Sequence, residues 1–535
     1  MDPGFPDTLQ HAVRSARADG DPDGAADAIE AGWRIAASEH GALLRVLVRE
    51  LSPDVWRRRA AIAAALGASH RSPDPLEPGA ALAYFEAARG ILVSAPDDGG
   101  RRLAVRLAHA AALRCAGRLD DAHELLSEPE ELADRTGAEL PERIGAEAGL
   151  ALERGLLAMH RGRLHDAERE LRTADGLRSH LLRSERIEML GALALIRHAD
   201  GEPETALGAV AEVRALAAGT RLLASPVAAP ALIAEQFVAL ERDELERAEH
   251  LAPEIARAAR RSDWLPLAAV SSARLAALRD DLVGSLEHLR AASRALESWQ
   301  GEPIVGPLAE TLRAAALMAL GQGDETWRIL TAIAPDPRHV ACPGRIIARL
   351  RLENGDLAGA ERALEACGEA GDAHTGRTLV EVMLLRGAIE HSRERGRATG
   401  HWIDRALRRM AEGGLHLPAL IIPDALRPGI LEAAAARPQP EVVLALIEGL
   451  RSVGGSAAVA TVDPVDGDAL PGPLSDRELG VLEQARLGHG VAGVAGALYL
   501  SPNTVKTHLR NIYRKLGVRS REEAVRKAEA LGLYL

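Results

Sequence analysis

The chain has 535 residues, enough for a sizeable core and for more than one domain. Hydrophobic residues make up 47% and aromatic residues only 2%, so the core must come from alanine, leucine and valine, whose small side chains let helices pack closely. The net charge is −12, but residues 474–535 carry ten Lys plus Arg against six Asp plus Glu, which makes that segment +4 and leaves about −16 on the rest.

All three lysines, Lys506, Lys515 and Lys527, lie in this basic segment. That excludes a Walker A loop and a lysine Schiff base anywhere before it. Cys115, Cys342 and Cys367 are few, odd in number and not in C-x-x-C spacing, so the spacing points to a reducing cytoplasm and to no zinc site. The opening Met1-Asp2-Pro3-Gly4-Phe5-Pro6 shows no signal peptide. Leu222–Ala234 comes closest to an uncharged membrane span but carries Pro226 and Pro230, so no membrane association is expected.

In chain order, the first 450 residues read as repeated helical hairpins. A glycine, a variable residue, Leu or Pro, and then Ala three positions later recur together. The copies are Gly20-Asp21-Pro22 with Ala25, Gly117-Arg118-Leu119 with Ala122, Gly162-Arg163-Leu164 with Ala167, Gly201-Glu202-Pro203 with Ala206, and Gly355-Asp356-Leu357 with Ala360. Weaker copies are Leu245 with Ala248, Leu282 with Ser285, and Gly323 before Trp327. The spacing from Gly117 to Gly162 is 45 residues and from there to Gly201 is 39, a period typical of stacked helix pairs. The glycine turns the chain, the Leu or Pro opens the next helix, and the small residue sits at a close helix crossing. One pair cannot bury its apolar face, but a stack can. A last helix with Val442, Val443, Leu446 and Leu450 caps the array.

Residues 453–473 are rich in glycine and proline and end in Pro471-Gly472-Pro473, which reads as a flexible linker. Beyond it, Ser475 and Glu478 are spaced as a capping box for a helix through Val481, Leu482 and Ala485. A short apolar segment, Val491–Leu500, follows. Ser501 suits an N-cap and Pro502 a first helical position. Val505, Leu509, Ile512 and Leu516 then give one apolar face, with Lys506, Thr507, Arg510 and Arg514 largely on the others. A turn at Val518–Ser520 leads into a fourth helix, Glu522–Leu531.

This four-helix pattern resembles the LuxR-type helix-turn-helix domain, densely between Leu500 and Ala524. The resemblance implies that the helix over 503–516 enters the major groove of double-stranded DNA. It implies base contacts from Lys506, Thr507 and Arg510, and phosphate contacts from Ser501, Asn503, Thr504, Arg514 and Lys515. Arginine and lysine suit both tasks, because they donate to guanine edges and neutralise phosphates. The resemblance also implies a homodimer on DNA, paired through the fourth helix. One feature departs from the family. The first helix of the turn motif reads Gly490-Val491-Ala492-Gly493-Val494-Ala495-Gly496, and each interior glycine costs about 1 kcal/mol relative to alanine.

The repeats resemble the tetratricopeptide-like array of MalT-like regulators, without their ATPase module. Gly162–Leu171 and Leu51–Trp56 carry that likeness best. The expectation is an all-α chain: a TPR-like superhelix over 1–452, a linker over 453–473 and a DNA-binding domain over 474–535. Its function is then a cytoplasmic, sequence-specific transcriptional regulator, with the array sensing a small-molecule or protein effector. The alternative is a helical scaffold with a degenerate DNA-binding tail. An ATP-driven switch is disfavoured by the missing P-loop. No catalytic constellation, metal ligand set or cofactor motif is expected: there is no H-E-x-x-H, no histidine pair at i, i+4 and no G-x-S-x-G. The six tryptophans, Trp33, Trp56, Trp264, Trp299, Trp327 and Trp402, are expected mostly in the core.

Overall fold

The computed structural model describes residues 4–93, 99–127, 140–333, 341–365, 367, 374–453, 476–498, 505, 508–509, 512–513, 516, 518 and 520–531. Among them every regular element is a helix, and the only β pairing is an isolated parallel bridge between Arg118 and Gln300. The all-α expectation therefore holds. None of these helices is long and apolar enough to cross a membrane. The chain forms two compact units, Met1–Ser271 with Ala292–Gly306, and Ser272–Ala291 with Pro307–Leu535.

The repeat signature corresponds to a single backbone device. Gly20, Gly117, Gly162, Gly201 and Gly355 all sit in the left-handed region, with φ between 72° and 82°. At each turn two hydrogen bonds close the preceding helix. At Gly162, for instance, the Gly162 N–H donates to the Met159 carbonyl at 2.9 Å and the Arg163 N–H donates to the Ala158 carbonyl at 2.9 Å. This is the Schellman arrangement, which satisfies carbonyls that the helix end leaves open. The same pair of bonds recurs at Asp243, Asp280, Gly321 and Glu394. Nine turns thus share one geometry, and from Gly117 onward they are 34 to 45 residues apart.

Three of those nine lack glycine: Asp243 and Asp280, which precede the weaker copies at Leu245 and Leu282, and Glu394, which the signature missed, adopt φ of 59° to 61°. Such a conformation costs an L-residue roughly 1–2 kcal/mol. A fourth is displaced. The turn residue before Trp327 is Gly321, with φ of 75°, and Gly323 is the first residue of the helix Gly323–Ala332. Five positions after each turn residue comes a small side chain: Ala25, Ala122, Ala167, Ala206, Ala248, Ser285, Thr326, Ala360 or Thr399. All nine are buried. Helix pairs such as Leu140–His160 with Leu164–Gly176, and Gly376–Ser392 with Gly396–Gly413, pack along this seam.

Between Gly20 and Gly117 the signature lapses. There Ser52 caps only a four-residue helix, Pro53–Trp56. The helix Ala60–Ala68 is buried along nearly its whole length, as an alanine-built core allows. At the other end of the array, Glu441–Val453 buries Val443, Leu446, Ile447 and Leu450. Val442 is not part of that seam: it is 62% exposed, because it lies one position off the helical stripe.

The core of the first unit contains a charged centre. Arg114, 1% exposed, donates to Glu153 at 3.3 Å, to Glu188 at 3.0 Å and to Asp263. Arg71 bridges Glu153 at 3.1 Å and Glu188. His160 Nε2 lies 2.8 Å from Asp263, and its ring tilts against buried Trp264 at 4.7 Å between centroids. Burial alone would destabilise the Arg114 cation, but Asp263 and Glu153 outweigh it and raise its pKa. Burial alone would likewise push Asp263 up, but Arg114 and His160 hold it well below the usual carboxylate range. Five charges from four separate helices and one loop are thereby mutually satisfied, which is what makes their burial tolerable.

Of the tryptophans, Trp264 is fully buried, and Trp33, Trp299, Trp56 and Trp402 pack partly against apolar clusters. Trp327 is 37% exposed, with the Arg351 guanidinium 4.5 Å from its ring centre.

Candidate nucleic-acid interface

The C-terminal segment builds a small core from short helices. Asp476–Arg486 buries Val481, Leu482 and Ala485. It ends at Gly488, whose φ of 85° turns the chain. Gly490, in extended conformation, then opens Val491–Ala497, and its carbonyl accepts from the Val494 N–H at 2.9 Å. Gly490 supplies no side-chain acceptor to this helix start. Val494 and Ala495 are buried, and Leu498 packs against the same core. The helix has seven residues and lies within the apolar segment Val491–Leu500.

The glycines in this helix answer no steric demand that backbone geometry reveals. A Cβ on Gly496 would meet open space, and one on Gly493 would approach only the His489 side chain, at 3.2 Å. The helix therefore carries their entropic cost with no compensating close approach.

The next apolar face is buried as its periodicity predicts. Val505, Leu509, Ile512 and Leu516 are helical and between 0% and 8% exposed. Tyr513 packs partly against that core. The Val518 N–H returns to the Tyr513 carbonyl at 3.0 Å, a six-to-one bond that closes a helix. Ser520 then caps Arg521–Leu531 by accepting from the Glu523 N–H at 3.1 Å. Ala524 and Ala528 complete the core.

Two contacts here were not legible as motifs. The Arg521 guanidinium donates to the Ala485 carbonyl at 2.6 Å, so the last helix holds the C-terminal end of the first. His489 Nδ1 and Gln484 Oε1 are 2.8 Å apart across the following turn. A cation on an open helix-end carbonyl is favourable with both the free acceptor and the helix dipole.

The residues expected to touch DNA fall outside the described ones. They are Lys506, Thr507 and Arg510 for bases, and Ser501, Asn503, Thr504, Arg514 and Lys515 for phosphates. So do Ser475 of the expected capping box, Pro502, Gly517, and all of the linker 453–473 beyond Val453. What the structure does establish is the buried core formed by the described residues around them in sequence.

Residues 472–528 match the family of bacterial regulatory proteins, luxR family. Two curated proteins match over 59 residues of the same chain, 11% of its length: the HTH-type transcriptional regulator MalT of Serratia proteamaculans (strain 568), at 46% identity, and that of Yersinia enterocolitica serotype O:8 / biotype 1B, at 44%. The matched stretch is 6% of either regulator's length. Among solved structures, the APC/C hetero-tetramer Cut9-Hcn1 aligns with 83% of this chain and 96% of its own, at 11% identity and a TM-score of 0.31. A human IFIT1 dimer with PPP-AAAA aligns with 76% of this chain and 95% of its own, at 13% identity and a TM-score of 0.35. Both scores lie below the level at which a shared fold follows.

Proposed function

We propose that this chain, which carries a luxR-family helix-turn-helix segment at residues 472–528, is a sequence-specific DNA-binding transcriptional regulator acting in the cytoplasm. The observation that carries the reading is the conjunction of that match with a core that buries Val505, Leu509, Ile512 and Leu516. In sequence, Lys506, Thr507 and Arg510 fall between those buried positions. On this reading they meet base edges in the major groove, while Ser501, Asn503, Thr504, Arg514 and Lys515 meet phosphates. The basic balance of the segment on an otherwise acidic chain supports the same partner.

The reading divides the chain into a sensing or interaction array over 1–452, a linker over 453–473 and a reader over 474–535. Two readers pair on DNA through the last helix. The array receives a small-molecule or protein effector. A second reading, a helical scaffold whose tail has lost its DNA sequence preference, is favoured by one observation: Gly493 and Gly496 weaken the helix Val491–Ala497 without an evident packing reason.

The test is selection of bound fragments from random DNA by the full chain, followed by titration of the best fragment. Enrichment of one motif, with Arg510→Ala or Lys506→Ala losing about 1–3 kcal/mol at particular base pairs, supports base reading. Lys515→Ala should weaken all sequences alike and flatten the salt dependence. Weak binding that enriches nothing and depends only on salt overturns the regulator reading in favour of the scaffold.

A further inference from the structure

Three residues of the second unit converge near the ends of neighbouring helices. Cys342 is the N-cap of Pro343–Glu353. Cys367 follows Leu357–Ala363. His374 immediately precedes Thr375, the N-cap of Gly376–Ser392. Their side-chain ligand atoms all lie within 4.8 Å of one another, and the two sulfurs are 3.5 Å apart. All three residues are buried, at 1%, 4% and 5% exposure.

We propose that Cys342, Cys367 and His374 form a binding site for one thiophilic metal ion of the zinc class. Thiolate and imidazole are the donors such ions select. Two sulfurs held at about 2.3 Å from one ion in tetrahedral geometry stand roughly 3.8 Å apart, a few tenths of an ångström from the spacing seen here. One divalent ion with two thiolates and a neutral imidazole is an uncharged centre. It can be buried without the desolvation cost of isolated thiolates.

A buried arginine stands near the two cysteines. Arg345, 7% exposed, interacts with both cysteines, and its Nε–H has no acceptor although its terminal nitrogen reaches Glu381. A thiolate formed when an ion binds would be favoured by that nearby cation. Gly344 serves the same arrangement: a Cβ there would press the Ala363 carbonyl at 2.6 Å and stand 3.7 Å from the Cys367 sulfur. Its absence lets the start of the helix Pro343–Glu353 come against Cys367. Cys342 itself is held at φ of 32°, a left-handed conformation that a non-glycine residue adopts at a cost. A disulfide would use the two sulfurs alone, whereas an ion would take all three converging ligand atoms.

The ion would tie three successive helices of one stretch of the array, so local stability there would depend on metal. This inference stands independently of the DNA-binding reading.

The test uses the reduced, chelator-treated full chain. Titration with Co²⁺ should give thiolate-to-cobalt charge-transfer absorption in the near ultraviolet and d–d bands in the visible, saturating at one equivalent. Zn²⁺ should displace the cobalt and raise Tm. Cys342→Ser and Cys367→Ser should each abolish the charge-transfer band and the Tm rise, and His374→Ala should change the d–d spectrum. Cys115→Ser, at a buried cysteine of the other unit, should leave all of these intact; helical circular dichroism checks that each variant is folded. Absence of the band in the wild-type chain, or its persistence in folded Cys342→Ser and Cys367→Ser, overturns the proposal.

Discussion

Each unit buries an arginine, and the two are solved differently. Arg114 is surrounded by Glu153, Glu188 and Asp263, and its cation is stabilised beyond the ordinary guanidinium. Arg345 has Glu381 as its carboxylate and shares it with Arg377, which donates at 2.8 Å; burial lowers its pKa, and an Nε–H is left over. The first is a closed network whose members compensate one another. The second is left with a donor that no acceptor meets. Burial of a charge is thus not in itself the mark of a site; the state of its compensation is.

The largest expected effect breaks the closed network. Arg114→Met leaves Glu153 and Glu188 to Arg71 and Asp263 to His160, and should cost about 3–5 kcal/mol in chemical denaturation. Arg345→Met in the metal-free chain leaves Glu381 with Arg377 and should cost roughly 1–2 kcal/mol. Equal losses would mean that compensation does not separate the two arginines.

The next concerns pH. His70 is buried, its Nδ1–H donates to the Gly67 carbonyl at 2.9 Å, and it faces Arg71, Arg114 and Asp263. Burial, with help from both arginines, lowers its pKa to about 4 from an ordinary 6.5. The unfolded chain therefore binds this proton more readily than the folded one. The contribution to stability is full above the ordinary value and is lost as pH falls from there through about 4. His70→Leu should remove that part of the acid-side slope, on the order of 3 kcal/mol, when denaturation is followed between those limits. An unchanged slope would place the acid sensitivity elsewhere.

Smaller effects test the same idea at the backbone, where some turns are filled around and others are not. Gly117→Ala adds a Cβ 2.4 Å from the Trp299 ring as well as forcing alanine into a left-handed turn. Gly355→Ala meets only the second penalty, about 1–2 kcal/mol. Thermal denaturation should rank Gly117→Ala clearly below Gly355→Ala. Smallest, and of opposite sign, Gly496→Ala has open space and should stabilise the short helix Val491–Ala497 by up to about 1 kcal/mol. If it does not, that glycine has a role on the surface, and DNA binding is the place to look.

Much of the array was legible because its turn is local. A glycine, an opening Leu or Pro and a small residue report one Schellman closure and one helix start, all within six positions. The reading faltered where local chemistry was atypical. Asp243, Asp280 and Glu394 adopt the same φ without glycine, held there by the hairpins they join. In the C-terminal segment the apolar seam was legible down to individual residues, since helical periodicity depends only on spacing. The Arg521 bond to Ala485 was not, because any arginine can find a carbonyl and only packing selects which.

The sequence by itself therefore determined the all-helical class, the hairpin period, the apolar seam of the C-terminal segment and the match to a DNA-binding family, because these depend on interactions a few residues apart. The tertiary structure alone decided which distant groups meet. It brought Arg114 to Asp263 across 149 positions, laid Trp299 over Gly117, and gathered Cys342, Cys367 and His374, whose separation in sequence gave no sign of a common site. The physical reason is that hydrogen bonds along a helix repeat with its pitch, whereas the stacking of one hairpin on another chooses long-range neighbours by shape and charge.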